Sequence, residues 1–225
     1  MSFEPEIIDQ NDDFIVINKP ANISFHSENY QAGLFASLES SLNTKLWPVH
    51  RLDKITSGLI ILAKSAQAAA ELGQLFETRQ IKKTYLAISD KKPNKKQGKI
   101  VGDMTKSRSG GWKLLQSKEN PSITHFYSHS LVEGKRLFLI LPETGKTHQI
   151  RVALKANGSP VLGDERYSNS KADRGYLHAY RLDFEWKGKP IQFECLPNQG
   201  EFFLLPEFDE VLGLLDKSTI TPSAL

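Results

Sequence analysis

The pattern of apolar and polar positions in the first half of the chain predicts alternating strands and helices. An apolar run closed by a proline at residues 13–20 is typical of a strand, and a loop at 21–29 follows it. A helix is expected at 31–42 and a buried strand at 59–63. Ser65 is a suitable N-cap for a helix at 66–78, because apolar residues recur there at helical spacing. Residues 83–88 alternate like a strand, and the lysine-rich stretch after them predicts an exposed, mobile loop.

The second half is dominated by patterns typical of antiparallel sheet. Residues 123–132 and 137–141 predict a hairpin around Glu133-Gly134, and 176–184 with 191–195 predict a second one. A helix at 148–156 is expected between them, capped by Thr147 and ended by Asn157-Gly158. A short helix at 207–215 precedes a tail that we expect to fray. The chain is therefore predicted to be α+β, with a mixed, largely antiparallel sheet flanked by helices.

Composition narrows the class of protein without identifying its chemistry. A chain of 225 residues with 39% hydrophobic side chains can bury a core, which excludes intrinsic disorder, collagen and a bare coiled coil. No repeat and no long linker is evident, so we expect a single domain over 1–225. No apolar run is long enough to span a bilayer, and the acidic start is unlike a secretory signal. A single cysteine, Cys195, allows no internal disulfide. We therefore expect a cytoplasmic protein.

The net charge of +3 conceals a strong asymmetry along the chain. Between Lys82 and Lys118 the formal charge is +9, and the rest of the chain carries −6. Clustered lysines favour a polyanionic partner, because neutralising phosphates releases their counterions. A merely solvated lysine-rich loop explains the same pattern, so the charge alone leaves both interpretations open.

Residues 49–58 are the first candidate for chemistry. Arg51 and Asp53 stand two residues apart, a spacing that places both side chains on one face of an extended chain. Thr56, Ser57 and Gly58 then predict a tight turn before the buried strand. A carboxylate at such a sheet edge serves as a nucleophile, a general base, a metal ligand or simply a turn cap. The spacing itself favours the structural cap.

Residues 144–155 are the second candidate. His148, Arg151 and Lys155 share one face of the predicted helix, whereas Ile150 and Leu154 lie on a side suited to burial. Polar donors at a helix N-terminus make a natural anion site. An ordinary amphipathic helix fits the same pattern.

A resemblance to a known family favours the functional interpretation of both segments over the structural one. Residues 50–58 (HRLDKITSG) resemble the H-R-L-D-x-x-T-S-G signature of the RluA-type RNA pseudouridine synthases at all seven fixed positions. Four further blocks are similar to the family in the same order, so that the resemblance covers about residues 10–195. They are VINKP at 16–20, KTYLA at 83–87, TGKTHQIR at 144–151 and PVLGD at 160–164 with Tyr167.

The resemblance implies a role for four residues of this chain. Asp53 corresponds to the catalytic aspartate, which attacks the uridine and allows the base to rejoin the ribose through carbon 5. Tyr85 corresponds to the tyrosine that stacks on the target base, and Arg151 to the arginine that pairs with the catalytic carboxylate. Arg51 corresponds to an arginine associated with opening the base stack. No metal or organic cofactor is implied.

Elementary physical chemistry is consistent with these roles. Covering a carboxylate with an aromatic base disfavours its charged form, and a guanidinium restores it through two parallel hydrogen bonds. Stacking on a tyrosine contributes roughly 1–3 kcal/mol per base. Unstacking the base costs a few kcal/mol, which phosphate contacts can offset. We expect those contacts from Lys91, Lys92, Lys95 and Lys96, with His148 and Lys155.

The resemblance further implies a fold with a central cleft and a structured RNA as the partner, either a ribosomal or a transfer RNA stem-loop. The family blocks begin near residue 16, so we expect no separate N-terminal RNA-binding domain. A monomer is expected only as the default state. A catalytically silent RNA-binding or RNA-folding protein is the main alternative. A metal-dependent phosphodiesterase would need a cluster of carboxylates, which is not evident in this sequence. His125 and His129 lie on a predicted strand, where we do not expect a zinc site. His26 and Trp112 are secondary candidates, as a base near the cleft and as an RNA contact.

Overall fold

The computed structural model describes residues 6–24, 34–108 and 110–220. Helices and strands alternate in the first half, and strands dominate the second. The strands are β1 (Glu6–Gln10), β2 (Phe14–Lys19), β3 (Trp47–Pro48), β4 (Ser57–Ala63), β5 (Lys82–Ser89), β6 (Gln97–Gly102), β7 (Met104–Lys106), β8 (Trp112–Leu114), β9 (Ser122–Val132), β10 (Lys135–Pro142), β11 (Leu177–Trp186) and β12 (Lys189–Glu194). The helices are α1 (Leu34–Leu42), α2 (Ala66–Glu77), α3 (Gln149–Ala156) and α4 (Phe208–Ile220).

The chain forms two compact units. Unit 1 comprises Met1–Lys82 and Ala179–Leu196, and unit 2 comprises Lys83–His178 and Pro197–Leu225. In the described residues, no helix is both long and apolar enough to cross a membrane.

Unit 1 is built on a sheet with the strand order β1-β2-β4-β11, to which β3 and β12 add at β4 and β11. Every residue of β2 and β4 is buried, so both faces of these strands are covered. Phe14 lies opposite Ala63 and Val16 opposite Ile61 in an antiparallel register. Because side chains alternate along a strand, these residues share one face, where they join a core that includes Leu72 of α2.

Unit 2 is built on the strand order β5-β10-β9-β6, with a separate β7–β8 hairpin. The strand pairs β5/β10, β10/β9 and β9/β6 are all antiparallel. Helix α3 packs against β9, and α4 packs against β9 and β10. The α+β class and the largely antiparallel sheet predicted from the sequence are confirmed.

Most predicted elements are present near their expected bounds. Both hairpins form, and Ser65 caps α2 by accepting the backbone N–H of Ala68 at 3.1 Å. Asn157 ends α3, and Gly158 follows in the left-handed conformation that favours glycine. Helix α1 is described from Leu34, since residues 25–33 lie outside the described part of the chain, and His26 lies there too.

One local prediction is wrong, and three short strands were not predicted. Helix α3 begins at Gln149, and its N-cap is His148 in the left-handed conformation, with φ of 59°, where Thr147 had been expected. The lysine-rich stretch directly after β5 is a mostly exposed connection without strand, as predicted, but the sequence did not predict β6, β7 and β8, which follow it. The alternation of side chains in these strands is hard to recognise because the strands are short and contain lysines. Strand β6 is stabilised by pairing with β9 and not by a strong side-chain pattern of its own. The single catalytic domain stays a prediction.

Candidate functional site

Asp53 lies on a short irregular segment between β3 and β4 in unit 1. Its side chain is half-buried, and its carbonyl accepts the backbone N–H of Thr56 at 3.0 Å, which closes a turn. Leu52 and Thr56 on either side of it are buried and hold the segment against the unit. Side chains alternate along this short stretch. Leu52 points inward, whereas solvent reaches Arg51 and Asp53 on either side of it.

Two residues of the 50–58 motif, His50 and Gly58, hold this segment in place. The Nε2 atom of His50 accepts the backbone N–H of Ile61 at 2.9 Å, so the neutral imidazole carries its proton on Nδ1. The ring stacks on Phe76 with 4.3 Å between centroids. At Gly58, with φ of 106°, a Cβ atom would lie 2.2 Å from the carbonyl oxygen of Ala179, so the motif ends on a residue that only glycine suits.

Lys19 is a residue of this region to which the sequence assigned no role. Its side chain is fully buried at the end of β2. The ammonium donates to the carbonyl oxygens of Pro20 and Ile23 at 2.8 Å and to that of Lys54 at 3.3 Å. The residue next to Asp53 is thereby tied to the chain that follows β2. In the sequence, the presence of this lysine in the VINKP block was the signal that could have indicated its role.

Tyr85 lies on β5 of unit 2, opposite Ile140 of β10 in the antiparallel register. Its side chain is half-buried between the buried residues Thr84 and Leu86. A half-buried aromatic ring on a strand offers a flat face without leaving its sheet, which is what stacking on a base requires.

Arg151 lies on the first turn of α3 and is buried. Its Nε donates to Oδ2 of Asp164 at 2.7 Å and its Nη2 donates to Oδ1 at 2.8 Å, a bidentate pair. Asp164 is fully buried. The sequence contained Asp164 in a family block but gave it no role, and the expected pairing of Arg151 with the catalytic carboxylate stays a prediction.

Tyr167 collects the side chains that the sequence grouped on one helical face. Its hydroxyl is 2.8 Å from Nδ1 of His148 and accepts the backbone N–H of Trp112 at 2.8 Å. The guanidinium of Arg151 lies 4.9 Å and the ammonium of Lys155 5.5 Å from the ring centroid. Burial raises the pKa of the Tyr167 phenol, which therefore stays protonated at neutral pH. His148, Arg151 and Lys155 therefore all contact one ring, although His148 precedes the helix on which they were predicted to share a face.

Gln149 fixes the approach to α3. Its buried amide donates to the carbonyl of Ile123 and the hydroxyl of Thr124, each at 3.0 Å. Its Oε1 accepts the hydroxyl of Thr144 at 2.7 Å and the backbone N–H of Lys146 at 3.0 Å. Two of these hydrogen bonds go to β9 and two go to the 144–148 segment, so Gln149 ties the segment to the strand. Because all four are made, the amide of Gln149 can be buried.

The four lysines of the β5–β6 connection are all exposed, but their backbone is held in place. The side chain of Asn157 accepts the N–H of Lys95 at 3.1 Å and donates to its carbonyl at 2.9 Å. The hydroxyl of Ser159 donates to the carbonyl of Lys91 at 2.8 Å. Lys91, Lys92, Lys95 and Lys96 therefore form a fixed cationic turn beside the C-terminal end of α3. We call these four residues the lysine turn.

His125 and His129 lie on β9, as the strand pattern predicted. Within residues 6–24, 34–108 and 110–220, no three side chains of histidine, cysteine, aspartate or glutamate group closely enough to hold a metal ion.

Comparison with known proteins gives a consistent result. Residues 13–156 match a family model described as RNA pseudouridylate synthase. An uncharacterized RNA pseudouridine synthase of Haemophilus influenzae is 50% identical over 218 residues, covering 95% of this chain and 97% of the relative. The ribosomal large subunit pseudouridine synthase C of Rickettsia bellii is 31% identical, over 84% of this chain and 67% of its own length.

A solved structure agrees on the fold. The human RNA pseudouridylate synthase domain containing 1 protein matches with a TM-score of 0.77 at 24% identity, covering 99% of this chain and 97% of the human chain. Family, relatives and fold thus lead to one conclusion. The chain belongs to the RNA pseudouridylate synthase family and is an isomerase that converts uridine to pseudouridine in RNA.

Proposed function

We propose that this enzyme isomerises specific uridines in structured RNA with Asp53 as its nucleophile. The observation that carries the proposal is the setting of Asp53: a half-buried carboxylate on a turn that buried Leu52 precedes and buried Thr56 closes. A nucleophile needs such a setting, since it must reach a bound base without following the movements of an unrestrained loop.

The proposed reaction moves one bond. Asp53 attacks the uridine and the bond between N1 and C1′ breaks. The detached base turns, C5 forms the new bond to C1′, and the bond that Asp53 formed with the uridine breaks, which regenerates the carboxylate. The hydrogen at C5 leaves as a proton and N1 takes up a proton, so no oxidant, reductant or cofactor is required.

Tyr85 and Arg151, which belong to unit 2, are proposed to act on the same uridine. The half-buried ring of Tyr85 would stack on the base, and the guanidinium of Arg151 would favour the charged form of the Asp53 carboxylate. Exposed Arg51 would contact the RNA at the position that the base vacates. The central cleft implied by the family resemblance stays a prediction.

The RNA backbone is proposed to contact the lysine turn, with His148 and Lys155 as further contacts. The exposure of the four lysines and the fixed backbone beneath them support this, because a fixed cationic surface loses little entropy on binding phosphates. Ribosomal and transfer RNA are both candidates, and the name of the Rickettsia relative, a ribosomal large subunit pseudouridine synthase, favours the large ribosomal subunit. A monomer acting in the cytoplasm remains our expectation.

The nucleophile is tested with RNA tritiated at C5 of uridine. The wild type should release tritium as pseudouridine forms, and Asp53→Asn should lower the rate by roughly 10⁴-fold or more, as removal of a nucleophile does in other enzymes. Asp12→Asn, at an exposed carboxylate of the same unit, is the matched control and should keep the wild-type rate. Equal release by Asp53→Asn and the wild type would exclude Asp53.

The same variant addresses the alternative of a silent RNA-binding protein. If RNA binding without turnover were the function, Asp53→Asn would fully restore the phenotype of a strain that lacks the gene. We expect no restoration. Mapping pseudouridines across total RNA with and without the gene would identify the target.

A further inference from the structure

The buried pair of Arg151 and Asp164 does more than neutralise two charges. Arg151 is 6% exposed and Asp164 is fully buried, and the two hydrogen bonds between them use the Nε–Nη2 edge of the guanidinium. A planar group that is bound along one edge cannot rotate about its long axis.

The carboxylate of Asp164 is itself immobile. Its Oδ1 accepts the backbone N–H of Arg166 at 3.0 Å and that of Tyr167 at 3.2 Å. The preceding Gly163 has φ of 73°, and a Cβ atom there would lie 2.0 Å from the carbonyl oxygen of Arg174. The turn that carries Asp164 is therefore packed backbone against backbone, and its carboxylate is held by two backbone N–H groups.

Tyr167 fixes the plane of the same guanidinium. The Cζ atom of Arg151 lies 4.9 Å from the centre of the Tyr167 ring, and the ring is held through its hydroxyl by Trp112 and His148. One edge and one face of the guanidinium are thus constrained by two different residues. The direction of its remaining nitrogen, Nη1, follows from these two constraints.

We propose that Asp164 and Tyr167 are positioning residues that act through Arg151, by holding its guanidinium in the one orientation that serves the reaction. This inference rests on the proposed function, in which Arg151 supports the nucleophile. A buried ion pair is often no more stabilising than apolar residues of equal volume, so a requirement for orientation is a physical reason to build one here. Neither residue touches substrate in this proposal.

The principal test is Asp164→Asn, assayed by tritium release with RNA tritiated at C5 of uridine. We expect kcat to fall roughly 10- to 100-fold, the usual cost of misplacing a catalytic group by about an ångström. KM should stay within about twofold, because Asp164 itself makes no contact with RNA in this proposal. Asp183→Asn, a half-buried carboxylate of unit 1, is the matched control and should keep the wild-type kcat.

Combination with Arg151→Lys separates positioning from a merely structural role. The lysine keeps the charge but cannot make the bidentate pair, so kcat should fall in this variant as well. Adding Asp164→Asn to Arg151→Lys should then lower kcat by less than about threefold, because the residue through which Asp164 acts is already displaced. Full additivity of the two losses would overturn the proposal.

Tyr167→Phe is the second variant, and it keeps the ring while removing the hydroxyl. We expect kcat to fall roughly threefold to tenfold, because the ring loses its hydrogen bonds to Trp112 and His148, and we expect KM to change by less than kcat. If Asp164→Asn does not fold, Tyr167→Phe and Arg151→Lys decide the question. Wild-type kcat in both of these, or in folded Asp164→Asn, would refute the inference.

Failure of the positioning role can be distinguished from failure of the proposed function. If Asp53→Asn releases tritium like the wild type, the nucleophile assignment fails whatever Asp164→Asn does. If Asp53→Asn is inactive while folded Asp164→Asn has the wild-type kcat, only the positioning role fails.

Discussion

Each unit of this enzyme buries a cation at or near a proposed functional position, and the two units stabilise that cation differently. In unit 1 the ammonium of Lys19 is fully buried and donates to three backbone carbonyl oxygens, one of them that of Lys54, next to Asp53. In unit 2 the guanidinium of Arg151 is bound by a buried carboxylate, Asp164, and covered by Tyr167.

The difference follows from the shapes of the two cations. An ammonium is a compact charge whose three donors can gather carbonyls from separate stretches of chain, so Lys19 joins two segments without specifying a direction. A guanidinium is planar, and a carboxylate matches its edge, so Arg151 is held in one orientation. The lysine therefore fixes where a turn lies, whereas the arginine is itself the group being aimed.

The comparison predicts its largest effect for Arg151→Met. The substitution leaves Asp164 buried without its guanidinium, and breaking such a pair typically costs about 3–5 kcal/mol of unfolding free energy. Urea unfolding measures the loss, and the exposed Arg51→Met is the matched control, with a change close to zero. The double variant with Asp164→Asn should be more stable than Arg151→Met. A double variant that is less stable would show that the charge of Asp164 is not the cause.

A smaller effect is expected for Lys19→Met. The substitution removes the donor from three carbonyls, which are neutral groups, and it also removes the cost of burying an ammonium. We expect a loss of about 1–3 kcal/mol by urea unfolding, less than for Arg151→Met. The exposed Lys54→Met is the control. A loss larger than that of Arg151→Met would reverse the comparison.

The smallest effect on stability is expected for the lysine turn, whose side chains are exposed in contrast to both buried cations. Replacing Lys91, Lys92, Lys95 and Lys96 by alanine should leave the unfolding free energy nearly unchanged, because the backbone bonds to Asn157 remain. Affinity for RNA should lose salt dependence, with the slope of log K against log salt flattened by roughly 3.

A matched control removes four exposed lysines from other segments, and it should leave the slope as it is in the wild type. These are Lys45, Lys171, Lys187 and Lys189. If the slope is equally unaffected in the lysine-turn variant, that turn is merely solvated.

The sequence predicted the elements whose pattern is strong. The apolar strands β2 and β4, the capped helix α2 and both hairpins have periodicity or turn chemistry that is visible without a structure. The short strands β6 to β8 were missed because lysines and glycines interrupt their alternation. Their pairing depends on strands distant in sequence, such as β9.

Candidate residues were predicted from motif spacing, but their partners were not. Asp53, Tyr85 and Arg151 were named from the blocks, and the shared face of His148, Arg151 and Lys155 from helical spacing. Asp164 is 13 residues from Arg151, and Tyr167 is 55 residues from Trp112, whose N–H its hydroxyl accepts. No local periodicity encodes such contacts.

The sequence by itself determined the family, the α+β class and the residue types available for chemistry, because these follow from short motifs and local alternation. Only the tertiary structure decided which groups are held together: Lys19 with the turn of Asp53, Arg151 with Asp164 and Tyr167, and Asn157 with the lysine turn. The physical reason is that a buried polar group must find a partner wherever the packed chain supplies one, and packing brings together residues at any separation.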